Sequence, residues 1–115
     1  MSAKKELEFF PVTDVPSTPC EGAVPGLTER ILTGTGRPGV VSRILDFAPG
    51  TDTSANGTLT HDFWEEVYII TGSMTDLRLG ETFTAGMFAC RPPGMEHGPW
   101  VTEEGCQTFE VRYEA

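Results

Sequence analysis

Apolar and polar residues alternate along the chain in short runs, and glycine or proline closes almost every one. The runs at 27–32, 40–47, 65–71, 74–79, 82–90 and 107–113 are rich in β-branched and aromatic residues, the types that suit a pleated, half-buried surface. Between them fall Pro25-Gly26, Pro49-Gly50, Gly72, Gly80, Pro92-Pro93-Gly94, Gly98-Pro99 and Gly105. Strand-like runs parted by turn signals about every eight to fifteen residues predict an all-β sandwich or barrel. One stretch supports two readings. Residues 58–71 lack glycine and proline, and Leu59, Phe63, Val67 and Ile70 sit at helical spacing. Against a helix stand five successive strand formers, Val67-Tyr68-Ile69-Ile70-Thr71, and we expect a strand. Residues 1–25, with Pro11, Pro16 and Pro19 and little periodicity, read as an N-terminal arm. That leaves 26–115 as a single domain.

Composition narrows the class of partner. A chain of 115 residues has room for one domain. Its 8 Lys and Arg against 17 Asp and Glu give a net charge of −9, which repels phosphate backbones and argues against nucleic acid. No apolar run approaches the roughly 20 residues of a membrane span. The opening MSAKKELEFF has two lysines with no apolar stretch behind them, unlike a secretion signal, and a cytoplasmic protein is expected. Cys20, Cys90 and Cys106 are odd in number and widely spaced, which suits neither a disulfide framework nor a zinc pattern. Each is expected as a small, buried, reduced side chain.

The chemistry concentrates around the two histidines, His61 and His97. His61 precedes Glu65 and Glu66, and His97 follows the turn Pro92-Pro93-Gly94. Neutral imidazole with carboxylate suits a divalent first-row metal, and two imidazoles with one carboxylate suit iron(II) with open positions. From Gly86 the chain runs five residues to Pro92, one to Gly94 and two to His97, which resembles the second motif of the cupins at each defined position. A strand that ends in a rigid Pro-Gly turn, and whose return presents one imidazole into a barrel mouth, makes physical sense of that spacing. The second half of the first cupin motif is similar as well: His61, three residues, Glu65, six residues, Gly72. Where that motif has its first histidine this chain has Leu59. Its leading glycine is Thr53, and the closing asparagine of the second motif is Val101. The phrases Phe47-Ala48-Pro49-Gly50, Val67-Tyr68-Ile69-Ile70-Thr71-Gly72 and Gly105-Cys106 resemble single-domain cupins. That branch includes the zinc-binding cupin domains of anti-sigma factors and acetylacetone-type dioxygenases.

The resemblance implies an antiparallel β-barrel or jelly roll and a metal held by His61, Glu65 and His97. It implies a divalent cofactor, iron(II) first and zinc, manganese or nickel after it, in a site one histidine short. An apo pocket is the other reading. Glu65 and Glu66 point to opposite faces of a strand. The spacing to Gly72 selects Glu65, with Val67 and Ile69 beside it inside; were Glu66 inside, Tyr68 and Ile70 would line the site. Glu66 and Glu96 are the candidate general bases. Phe63, Trp64 and Trp100 are read as core or interface aromatics ahead of pocket walls, Cys90 as a packed side chain and Asp62 as surface. Arg43, Arg91 and Arg112 are candidates for holding a carboxylate substrate if they point inward. The expected function is a metal-dependent enzyme that oxidatively cleaves a small dicarbonyl or ketone-type molecule. A non-oxidative lyase, decarboxylase, isomerase or polyketide cyclase is one alternative, and a non-catalytic binding or sensing module is another. The partners expected are a small-molecule substrate and a second copy, paired as a homodimer through an exposed edge strand.

Overall fold

The computed structural model describes residues 4–20, 22 and 24–114. Its strands are β1 (Thr18–Pro19), β2 (Leu27–Gly34), β3 (Val41–Phe47), β4 (Trp64–Asp76), β5 (Glu81–Thr84), β6 (Phe88–Arg91), β7 (Trp100–Val101) and β8 (Cys106–Tyr113). They run antiparallel in the order β1-β2-β3-β8-β4-β5, and β6 and β7 also bond to β4. This is the expected all-β architecture, a curled antiparallel sheet. Helix among the described residues is confined to two short 3-10 turns, Val12–Asp14 and Ser54–Asn56. No helix of the described residues is long and apolar enough to cross a membrane.

Strand β4 organises the barrel. Its first half is bonded to β8 on one side and β6 on the other, and its second half to β5 and β7. The helical spacing within 58–71 is not used. The β-branched run lies inside β4, where neighbours on both sides satisfy its backbone, while residues 58–63 form a loop that leads into the strand. Along β4, Glu65, Val67 and Ile69 are buried, whereas Tyr68 and Ile70 are exposed. A bulge between Ile69 and Thr71 then shifts the phase, so that Met74 and Asp76 become the buried positions. Gly72 sits at this irregularity with φ +80°, and a Cβ there would lie 2.0 Å from the Gly105 carbonyl oxygen. No other residue fits that approach.

Leu45, Phe47, Ile69, Met74 and Cys106 form the buried core, with each large apolar side chain contributing about 1.5–3 kcal/mol. Leu45, Phe47 and Met74 also line the barrel's cavity, so the core is its floor. The segment read as an arm joins the sheet at its end. β1 pairs with β2, and the Arg30 guanidinium donates to the Val15 carbonyl at 2.6 Å.

Candidate metal centre and cavity

Two loops and one strand bring the site together. Glu65 stands at the start of β4, opposite Arg91 of β6 and Arg112 of β8. The 58–63 loop lies against the segment that follows the Pro-Gly turn. Leu59 and His97 exchange both backbone hydrogen bonds, at 2.8 and 3.0 Å, and the Gly94 N–H donates to the His61 carbonyl at 2.8 Å. The buried Asp76 carboxylate accepts from the Gly98 N–H at 3.3 Å, holding the residue after His97 in place. His61 is stacked on Phe63 with ring centroids 4.7 Å apart, and its ring lies 4.9 Å from that of His97.

The result is a cluster in which one donor atom each from His61, Glu65 and His97 lies within 4.8 Å of the others. Each histidine Nε2 is 3.9 Å from a Glu65 oxygen. A divalent ion sits about 2.0–2.2 Å from each such donor, so closing the site takes side-chain shifts of about 1 Å or less. The His97 Nδ1 lies 3.4 Å from the Met95 carbonyl, which leaves Nε2 turned to the cluster.

Protonation suits the same use. Burial, reinforced by Arg91, pushes the His97 imidazole down to about 4, and burial also lowers that of His61. At Glu65 burial acts upward, but the Arg112 charge and hydrogen bond, together with Arg91, prevail and hold the carboxyl below its usual range. Neutral imidazoles and an ionised carboxylate are the forms a metal requires. The residues present therefore fit a three-donor site. The arginines also compete for it: Arg112 Nε donates to Glu65 at 2.7 Å and Arg91 Nη1 at 3.2 Å.

The cluster opens on a cavity of about 720 Å³. Arg43, Arg91 and Arg112 all line it, as do Leu59, Phe63 and Trp100. Phe63 and Trp100 are thus walls as well as packing residues, each lying under a guanidinium: Arg112 over Phe63 at 4.8 Å and Arg91 over Trp100 at 5.4 Å. Trp64 instead stacks on Tyr113 and does not line the cavity. Glu66 is not brought to the cavity, because the strand alternation turns it outward, where it accepts from the Tyr113 hydroxyl at 2.6 Å. Glu96 is exposed and likewise not among the cavity residues. Cys90, the cross-strand partner of Glu66, is exposed rather than packed, and Asp62 is at the surface. Sequence reasoning missed Glu29 and Glu110, both cavity-lining and both bonded to Arg43. The signal for Glu110 was Thr108, Glu110 and Arg112, polar residues at the two-residue period of one strand face.

A curled antiparallel barrel with imidazole and carboxylate donors gathered on one cavity wall defines a cupin. The family model described as ChrR Cupin-like domain matches residues 10–114, and the chain belongs to that family. No curated protein matches the sequence. Among solved structures, an acetylacetone dioxygenase from Acinetobacter johnsonii is similar over 98% of this chain and 76% of that one, at 16% identity and TM-score 0.73. The polyketide cyclase RemF from Streptomyces resistomycificus is similar over 93% of this chain and 79% of its own, at 24% identity and TM-score 0.67. The structure of Rhodobacter sphaeroides SigE in complex with the anti-sigma ChrR holds a chain similar over 86% of this one, at 22% identity and TM-score 0.63. This chain spans 50% of that one's length. At these identities the likeness shows the fold alone.

Proposed function

We propose that this cupin is a metal-dependent enzyme acting on a small organic molecule, with oxidative carbon–carbon cleavage of a dicarbonyl or ketone-type substrate as the leading reaction. The observation that carries this reading is the convergence of His61, Glu65 and His97 on the wall of a cavity large enough for such a molecule. Likeness to an acetylacetone dioxygenase supports the reaction type. When bound, a divalent ion supplies a Lewis acid for a chelating dicarbonyl and, as iron(II), supports reaction with dioxygen. The chain does the rest. His61 and His97 offer neutral donors, with Phe63 and the Met95 carbonyl orienting the rings. Arg91 and Arg112 keep Glu65 ionised, and Leu45, Phe47 and Met74 give the cavity an apolar lining.

A second reading, a non-oxidative lyase, decarboxylase, isomerase or cyclase or a non-catalytic binding module, is favoured by Leu59 at the position of the first motif histidine. The hold of two arginines on Glu65 favours it too. Elemental analysis of protein purified without added metal, followed by oxygen uptake with β-diketones after iron(II) loading, separates the readings. Stoichiometric metal with oxygen uptake is the result expected. Metal without uptake would move the function to the non-oxidative class, and no metal after loading would leave the binding module. The proposed partner is a second copy of this chain. Exposed Tyr68 and Phe88, paired on the outer face of β4 and β6, support it, and a single-chain mass by light scattering would sink it.

A further inference from the structure

Four arginines line the cavity. Arg37 is exposed and paired with Glu114, and the other three guanidiniums differ in how fully they are occupied. Arg43 donates through Nε and Nη2 to Glu110 at 3.2 and 2.9 Å, and through Nη1 to Glu29 at 2.7 Å. Arg112 donates through Nε to Glu65 and through Nη1 to the Pro38 carbonyl at 3.5 Å. Arg91 gives only Nη1 to Glu65, at 3.2 Å, and its side chain makes no other hydrogen bond among the described residues. A guanidinium has five N–H donors in a rigid fork, so most of the Arg91 fork is unengaged. Only 13% of the Arg91 side chain and 15% of that of Arg112 is exposed. Each lies over an aromatic ring, Trp100 or Phe63, which holds its plane while its edge stays free.

Charge points the same way. At this end of the cavity two guanidiniums, Arg91 and Arg112, share the one carboxylate of Glu65. Across the cavity Arg43, Arg91 and Arg112 are matched by Glu29, Glu65 and Glu110. The positive excess is therefore local to the Glu65 end, where a mostly buried guanidinium gains by pairing with an anion. Engagement of Glu65 by a metal would enlarge that excess. Part of the lining, Leu45, Phe47 and Met74, is apolar, and Trp100 beneath Arg91 packs against these residues.

We propose that Arg91, with Arg112 beside it, is the site that recognises a carboxylate on the ligand, which makes the substrate class of this cavity an organic acid with an apolar body. The carboxylate takes the open Arg91 fork in the bidentate geometry that arginine favours, and the hydrocarbon part lies against Leu45, Phe47 and Met74. This rests on the reading above that the cavity receives a small organic molecule.

The test compares 3-phenylpropionate with 3-phenylpropionamide, an uncharged analogue of the same shape. Both are titrated calorimetrically into the full chain, metal-free and after zinc(II) addition. The acid should bind about tenfold or more tightly than the amide, and its binding should shift the Trp100 emission beneath Arg91. Arg91→Gln should reduce the preference to less than about twofold, and Arg91→Lys, which keeps the charge without the fork, should retain part of it. Equal binding of acid and amide, binding of neither, or an acid preference untouched by Arg91→Gln would overturn the proposal. Should Arg91→Gln fail to fold, the acid–amide comparison on the unchanged protein still decides. Metal content and oxygen uptake test the enzyme reading separately, so an acid-selective protein without metal would sink that reading alone.

Discussion

Glu110 and Arg112 lie one pleat apart on the same face of β8, yet they belong to two charged clusters of opposite character. In the first, Arg43 ties Glu29 of β2 to Glu110 of β8 from its place on β3, and Thr108 adds a hydroxyl 3.4 Å from Glu110. Burial raises the Glu110 carboxyl against the pull of Arg43, and burial with Glu29 pushes the nearby Cys20 thiol up to about 12. In the second, Glu65 is shared by Arg91 and Arg112 with His61 and His97 alongside, and most of the Arg91 fork is unengaged. The residue types are nearly the same. What separates structure from chemistry here is saturation: a buried ionic cluster whose partners are all made holds three strands in register, and one with donors to spare can receive something else.

The largest effect should come from opening the saturated cluster. Arg43→Met leaves Glu29 and Glu110 without their cation and should cost about 3–5 kcal/mol in chemical denaturation. Arg91→Gln, which leaves Glu65 paired to Arg112, should cost about 1 kcal/mol. Equal costs would erase the distinction between the clusters.

Metal affinity sharpens it next. His97→Ala should abolish stoichiometric binding, and Glu65→Gln should weaken it beyond the ~10–100-fold typical of losing an outer-shell partner. Glu66→Gln should leave it unchanged, since Glu66 faces outward to Tyr113. Leu59→His should tighten binding, because Leu59 lies directly across from His97 and lines the cavity. Equilibrium dialysis with zinc(II) reads all four.

Acidification of the metal-free protein tests the open cluster alone. The unfolded chain takes up a proton at each imidazole near pH 6.5, whereas folded His97 resists until about 4. Stability should therefore fall as the pH drops below 6.5. Glu65, with its lowered folded value, adds to the loss further down. Glu110, raised in the fold, acts oppositely: its contribution is present below the usual carboxylate value and is lost as pH rises through its own. The melting temperature should decline from pH 7 to 5, and His97→Gln should flatten that decline.

The smallest effect concerns thiols, which neither cluster binds in a disulfide. Cys20, Cys90 and Cys106 are free. In native protein at pH 8 a thiol reagent should find exposed Cys90 first, because burial lifts Cys106 to about 11 and Cys20 to about 12. Denatured protein without reductant should yield about three thiols, and a count near one would refute the reduced state.

Much of the site was legible because its determinants are local. The Pro92-Pro93-Gly94 turn places His97 at a set distance along the chain from β6. The two-residue period of a strand left Glu65 or Glu66 as the inward carboxylate, and the spacing from Glu65 to Gly72 in the resemblance to the first cupin motif chose Glu65. The glycine at position 72 could be read as a turn, but its reason, a backbone approach to Gly105, is a contact between distant segments. Cys90 shows the limit from the other side. Its composition suggested a packed thiol, and its pairing with Glu66 put it on the outer face.

Strands, turns and the spacing of the donors were therefore set by sequence alone, since each depends on residues within a few positions of one another. Which face of each strand lies inside was decided only by the tertiary structure. On β8, hydrophobicity would turn Phe109 and Val111 inward, yet Thr108 and Glu110 are the buried positions, with Arg112 also facing the cavity. The barrel can hold those polar groups because Arg43 of β3 and Glu65 of β4 are brought opposite them by pairings that span most of the chain. A buried charge is tolerable only beside its partner, and partners so far apart in sequence meet only when the sheet has closed.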